Sequence, residues 1–152
     1  MSKTEVTILG CGSSLGVPRI DGYWGKANKK NPKNYRTRCS IFVKYKNINV
    51  TIDTSTDIKN QMLKNSIKKI DAVIYTHEHA DQTHGINELR PLFWLNKKKI
   101  DVYSDKKTSS YLFKSFKYLF FHFYCKNNLD QFHQKQLFFY FFFNINKLVK
   151  IV

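Results

Sequence analysis

Several absences narrow the chemistry of this chain before any motif is considered. Cysteine is sparse: Cys11, Cys39 and Cys125 stand far apart, odd in number and without a C-x-x-C pair. That spacing argues against a disulfide framework or a zinc ribbon and fits a reducing compartment. The start, "MSKTEVTILG", holds no apolar run of signal-peptide length. The most apolar segments, "YLFFHFYC" and "LFFYFFF", are too short to cross a bilayer. A cytoplasmic protein with no membrane partner is therefore expected. Acidic residues are scarce as well, 11 Asp and Glu against 26 Lys and Arg, for a net charge of +15. So positive a surface favours anionic partners such as phosphorylated metabolites, nucleic acid or acidic lipid. Base composition is a competing source of that charge, because Lys, Asn, Ile and Phe are over-used together and all are spelled by AT-rich codons.

At 152 residues the chain suffices for one domain with a sizeable core. "TEVTIL" alternates as a first strand and ends in the loop "GCGSSLGVPR", whose spacing is neither the dinucleotide fingerprint nor a P-loop and suits a tight turn. The polar stretch "DGYWGKANKKNPKNYRTR" reads as a long surface loop, and "CSIFVKY" with "INVTID" as a hairpin turning at "KN". "TSTDIKNQMLKNS" opens with N-cap residues and places Ile58, Met62 and Leu63 at helical spacing. "IDAVIYT" has the continuous β-branched character of a buried strand. "THGINELRPLFWL" predicts a helix ending at Pro91 or slightly beyond, "IDVYS" a short strand, and "DKKTSSYLFKSFKYLF" a helix capped by Asp105 or Thr108. Strands alternating with helices, with one hairpin, predict an α/β (α+β) layered domain.

From Phe120 onward there is no Gly or Pro, and nine of the 13 Phe lie there. Three explanations suit this stretch: a partner-binding or membrane-surface tail, a sequence never shaped to fold, or a terminal strand plus helix. "LFFYFFF" is aggregation-prone if exposed, because it joins high β-propensity to an absence of charge.

The chemistry concentrates in "YTHEHADQTHG", which holds three of the five histidines. His77 and His79 are two apart beyond a buried strand, where extended or turning backbone lets both ring nitrogens reach one ion. Asp81 adds a hard oxygen suited to zinc, manganese or iron. Gln82, immediately after, is a poor ligand in a place where a strong one is expected.

"VTILGCGSSLGVPR", "RTRCS" before a strand, "IDTSTDIKNQML" and "THEHADQTHGINELRPLF", in this order, resemble the metallo-β-lactamase fold superfamily. The similar branch contains phosphoribosyl cyclic phosphodiesterases and related phosphodiesterases, and the resemblance covers about residues 3 to 119. It implies the N-terminal half of an αββα sandwich, with residues 1–119 as a truncated domain and 120–152 as an irregular Phe-rich tail outside the fold. The family motif H-x-H-x-D-H implies that His77 and His79 bind a first metal and that Asp81 binds a second and orients the attacking hydroxide. The last motif position is Gln82 here, with His84 a weaker candidate beside it. Asp53 corresponds to a family Asp that supports the His loop from behind the ligands. The implied ions are one or two of zinc, manganese or iron. The implied reaction is attack of metal-activated hydroxide on an anionic phosphodiester, a cyclic phosphate or a nucleotide-like molecule. Arg36, Arg38 and Arg90 are candidates to contact its phosphate. Gln82 and the missing second half of the family domain raise the alternative of an inactive remnant. The basic charge raises another, a nucleic-acid-binding module.

Overall fold

A computed structural model gives the structure of the protein and describes residues 3–120 and 139–142. Strand β1 (Thr4–Gly10) pairs antiparallel with β2 (Ser40–Tyr45), which pairs antiparallel with β3 (Ile48–Ile52). β4 (Ala72–Ile74), β5 (Ile100–Tyr103) and β6 (Phe139–Phe142) then extend the sheet in parallel, in the order β1-β2-β3-β4-β5-β6. Parallel neighbours need crossovers. Helix α1 (Ile58–Lys64) supplies the one from β3 to β4. Between β4 and β5 run α2 (Ala80–Thr83), a 3-10 turn (Ile86–Leu89) and α3 (Arg90–Asn96). After β5 come α4 (Lys106–Ser115) and α5 (Lys117–Phe120). The layered α/β class expected from the alternation of elements is the class observed.

Side-chain alternation sorts the sheet into two faces. Directly paired residues share a face, so Phe42, Thr51, Val73 and Val102 form one row. Phe42, Val73 and Val102 of that row, with Leu9, Tyr75 and Ile100, form a single buried cluster with Ile58 and Met62 of α1, Leu89, Leu112 of α4 and Leu119 of α5. The hairpin turns at Lys46 in the left-handed region, as "KN" suggested.

Three local details differ from the sequence pattern. The helix expected over "THGINELRPLFWL" is broken into α2, the 3-10 turn and α3, and Pro91 opens α3 rather than closing a helix. In a first turn the missing proline N–H leaves no bond unmade. The helix expected after Asp105 is interrupted at Phe116, although Asp105 caps it as foreseen by accepting from the Thr108 amide at 2.7 Å. The Phe-rich stretch contributes β6 to the sheet edge beside β5. Its other residues, 121–138 and 143–152, lie outside the described ones.

Gly85 marks the closest approach between the two loops that build the site. Its amide donates to the Thr54 carbonyl at 2.9 Å, and a Cβ there would lie 2.0 Å from the Ser55 carbonyl oxygen and 2.6 Å from Ile58 Cγ2. Neither backbone nor buried Ile58 can yield cheaply. Gly85→Ala is expected to cost about 1–3 kcal/mol or more, seen as a fall of several degrees in the thermal midpoint. An unchanged midpoint would show that the loops are not packed this way.

Candidate metal centre

β3 and β4 run parallel, so their carboxyl ends open side by side, where open sheets place their sites. The loop after β3 begins at Asp53, and the loop after β4 carries Thr76 to Gln82. Backbone bonds stitch the two together. The Asp53 amide donates to the Ile74 carbonyl at 2.8 Å, and the Thr54 amide to the Gln82 carbonyl at 2.7 Å. Beneath them the hydroxyls of Thr54 and Tyr75 share a bond of 2.8 Å; burial pushes the Tyr75 hydroxyl pKa upward, so it stays protonated.

Asp53 turns the chain at φ +60°, a left-handed conformation that Asp tolerates better than most residues. Its carboxylate, only 6% exposed, accepts from the Thr76 amide and the Thr76 hydroxyl, both at 2.8 Å. Burial pushes the Asp53 carboxyl above its ordinary range, and the Asp81 charge adds to that. The two Thr76 bonds and His77 work in the opposite sense. The bonds also fix proton positions further along. Thr76 Oγ1 has one proton and directs it to Asp53, so at its 2.9 Å contact with His77 Nδ1 it accepts. A neutral His77 ring bonded this way carries its proton on Nδ1 and presents Nε2 as the lone pair.

His77 and His79 stand together, their ring centroids 4.6 Å apart at an interplanar angle of 76°. His79 occupies the N-cap of α2 with extended backbone, so the two rings project from one side of the loop. Two imidazoles this close suit a borderline ion such as zinc. Asp81 is engaged differently. Gln82, 8% exposed, donates from Nε2 to Asp81 Oδ2 at 2.9 Å. Among the described residues no three His, Cys, Asp or Glu side chains converge closely enough to hold an ion. Among the described residues, the candidate donors brought together are thus the two imidazoles of His77 and His79.

The other candidates lie in separate settings. His84 Nε2 meets the Tyr111 hydroxyl at 2.9 Å, with the ring parallel to Tyr111 within 8° and edge-on to Phe116. Arg38 straps the Gly-rich loop to α1: Nη1 donates to both Asp57 oxygens at 3.1 Å and Nε to the Ser14 carbonyl at 3.0 Å. Arg36 bonds the Lys33 carbonyl, and Arg90 Nε donates to the Asn87 carbonyl at 3.2 Å. Sequence reasoning missed Thr76, whose signal was its place between the strand and the first His. It also missed Glu78, held in an ion pair with Lys107 of α4 beside the His pair.

Residues 48–143, a stretch that contains this site, match the family described as the beta-lactamase superfamily domain. The chain belongs to the metallo-β-lactamase superfamily. Among solved structures it resembles a diphosphatase of the PhnP family, with 36% identity and a TM-score of 0.69 over 77% of this chain and 47% of that one. Zinc-bound PqqB from Methylobacterium extorquens shares the fold at 21% identity and a TM-score of 0.57, over 74% of this chain and 40% of that one. An octanoyltransferase of Porphyromonas gingivalis is 32% identical over 100 residues, 65% of this chain and 20% of that protein. The chain spans about half the length of these solved relatives or less, and a fifth of the octanoyltransferase. Among the described residues, no helix is long and apolar enough to cross a membrane.

The hydrogen-bond chain from Asp53 through Thr76 makes a spectroscopic prediction. In the metal-free protein the His77 ring nitrogens are expected to show nitrogen-15 shifts of the Nδ1–H tautomer, and Thr76→Val is expected to shift the ring toward a mixture. A wild-type His77 already mixed, or a Thr76→Val spectrum identical to it, would remove Thr76 from this role.

Proposed function

We propose that this chain is a metal-dependent hydrolase of an anionic phosphodiester, a cyclic phosphate or nucleotide-like molecule being the substrate class that suits it. The observation that carries the proposal is the His77–His79 pair at the carboxyl end of β4, with Nδ1 of His77 turned to the Thr76 hydroxyl. The likeness to a diphosphatase at 36% identity supports a phosphate-type substrate. His77 and His79 would hold a zinc, manganese or iron ion, with Asp81 as the further donor that the family motif implies. Such an ion, when bound, lowers the pKa of a coordinated water and offsets negative charge on phosphorus oxygens.

The protein's own groups do the rest. Asp53 and Thr76 hold the His77 ring in one orientation and tautomer, the role carboxylates commonly play behind a ligating imidazole. The net charge of +15 draws anions toward the surface. Asp81 would act on the attacking water as acceptor from its free carboxylate oxygen, Oδ2 being engaged by Gln82. Arg36, Arg38 and Arg90 remain candidates for phosphate contact, Arg38 the most committed elsewhere through Asp57.

Gln82 favours a second hypothesis, a family member that binds one ion without turning substrate over. A carboxamide that holds Asp81 by hydrogen bond both weakens the second ion's position and occupies part of the carboxylate. One pair of measurements separates the two. Metal content after dialysis is expected near one ion per chain, with affinity lowered roughly 100-fold or more in His77→Ala and His79→Ala. With added manganese or zinc, bis-p-nitrophenyl phosphate is expected to turn over above the buffer rate, and His77→Ala to return to it. Metal binding without turnover, in wild type and in Gln82→His alike, would leave the second hypothesis standing. No metal bound at all would sink both.

A further inference from the structure

Cys11 and Cys39, both free thiols, meet where strands β1 and β2 part. Gly10 pairs with Ser40 at the end of that ladder, and Gly12 touches Arg38 in an isolated bridge of parallel type just beyond it. The two cysteines are the residues enclosed between these contacts. Residues opposed across strands have α-carbons about 4.5–5.5 Å apart, inside the span of roughly 4.4–6.8 Å that a disulfide bridges. Both side chains also leave the same face. Ser40 is buried, and a Cβ on Gly10 would meet Gln61 of α1, so these two positions face the helices. Alternation turns the next residue of each strand, Cys11 and Cys39, to the other side. Cys39 Sγ donates to the Gly12 carbonyl at 3.1 Å, which sets its sulfur beside the residue that follows Cys11.

Cys39 also lies between two tethers of the loop that begins at Asp53. On one side the Ser40 hydroxyl donates to the Asp53 carbonyl at 2.9 Å, and on the other the Arg38 amide donates to Asp57 Oδ2 at 2.9 Å. The Asp53 carboxylate in turn receives both Thr76 bonds. A shift of the Cys39 backbone therefore reaches the His loop through Ser40, Asp53 and Thr76.

We propose that Cys11 and Cys39 form a reversible thiol–disulfide site, oxidised by a low-molecular-weight disulfide, whose state is relayed to the Asp53 loop. The thiolate of one cysteine attacks a sulfur of the small disulfide, expels one small thiolate and leaves a mixed disulfide on the protein. The thiolate of the other cysteine attacks the protein sulfur of that mixed disulfide and expels the second small thiolate. Two protein thiols thereby become one disulfide, and the small disulfide takes up their two electrons and two protons to become two thiols. Excess small thiol runs the same exchange backwards, the behaviour of a transient disulfide in a reducing compartment.

The full 152-residue chain tests this when equilibrated without oxygen at a series of reduced-to-oxidised glutathione ratios, alkylated and digested with trypsin without reduction. The expected product is a cross-link joining the peptide that holds Cys11 to the peptide that begins at Cys39, with Cys125 still open to alkylation. Cys125→Ser is expected to leave that cross-link unchanged, and Cys11→Ser to stop at a glutathione adduct on Cys39. Oxidation is expected to raise the thermal midpoint by several degrees, because the bond closes a long loop. In nitrogen–proton spectra of Cys125→Ser it is expected to move the Asp53 and Thr76 amides; should that variant fail to fold, the wild-type chain serves. Cross-links made chiefly through Cys125, glutathione adducts on both cysteines that never resolve, or a disulfide that leaves the Asp53 and Thr76 amides unmoved would each overturn the proposal.

Discussion

The buried carboxylate of Asp53 is the contact on which the site depends. It sits at the end of β3, yet both of its hydrogen bonds come from Thr76 at the end of β4. The cost of taking a charge out of water is offset by an amide and a hydroxyl aimed at it. Those same two bonds lock one loop to the other. Because Thr76 precedes His77, an interaction formed to satisfy Asp53 also sets the orientation and proton placement of a candidate ligand. Gly85 closes the arrangement from the other side, where the absence of a Cβ lets the His loop lie against the Thr54 and Ser55 carbonyls.

The electrostatics of this region are graded. Asp53 is deep and held by neutral donors, Glu78 is tied to Lys107, and Asp81 is held by the Gln82 amide. The two imidazoles stand on the same loop as Glu78 and Asp81, and Lys107 is committed to Glu78. Imidazole nitrogens near carboxylate oxygens are a donor set that suits a divalent ion. Gln82 is where this chain departs from the family motif, with a consequence in how Asp81 is engaged.

The fold class, the hairpin, the strand β4 and the His pair were all legible in the residues, because each is a local pattern: alternation, a β-branched run, ligands two apart. Other features depend on partners distant in sequence. The break of the expected helix at Pro91 follows from the tight 3-10 turn at Ile86–Leu89, whose Ile86 and Leu89 are drawn fully into the core. His84 reads as one more histidine of a cluster, and only the packing of α4 shows that it meets Tyr111 and Phe116. Arg38 reads as a free cation, and only the approach of α1 supplies Asp57.

By itself, then, the sequence determined the ancestry and the layered α/β class, and it singled out His77, His79 and Asp81 as candidates, since spacing along a strand end is a property of neighbouring residues. The tertiary structure decided what those residues are attached to. It brought Asp53 across 23 residues to Thr76 and turned the Gln82 amide onto Asp81. Such outcomes follow from which strands lie side by side, and strand order is set by how the whole sheet and its helices bury their apolar faces together.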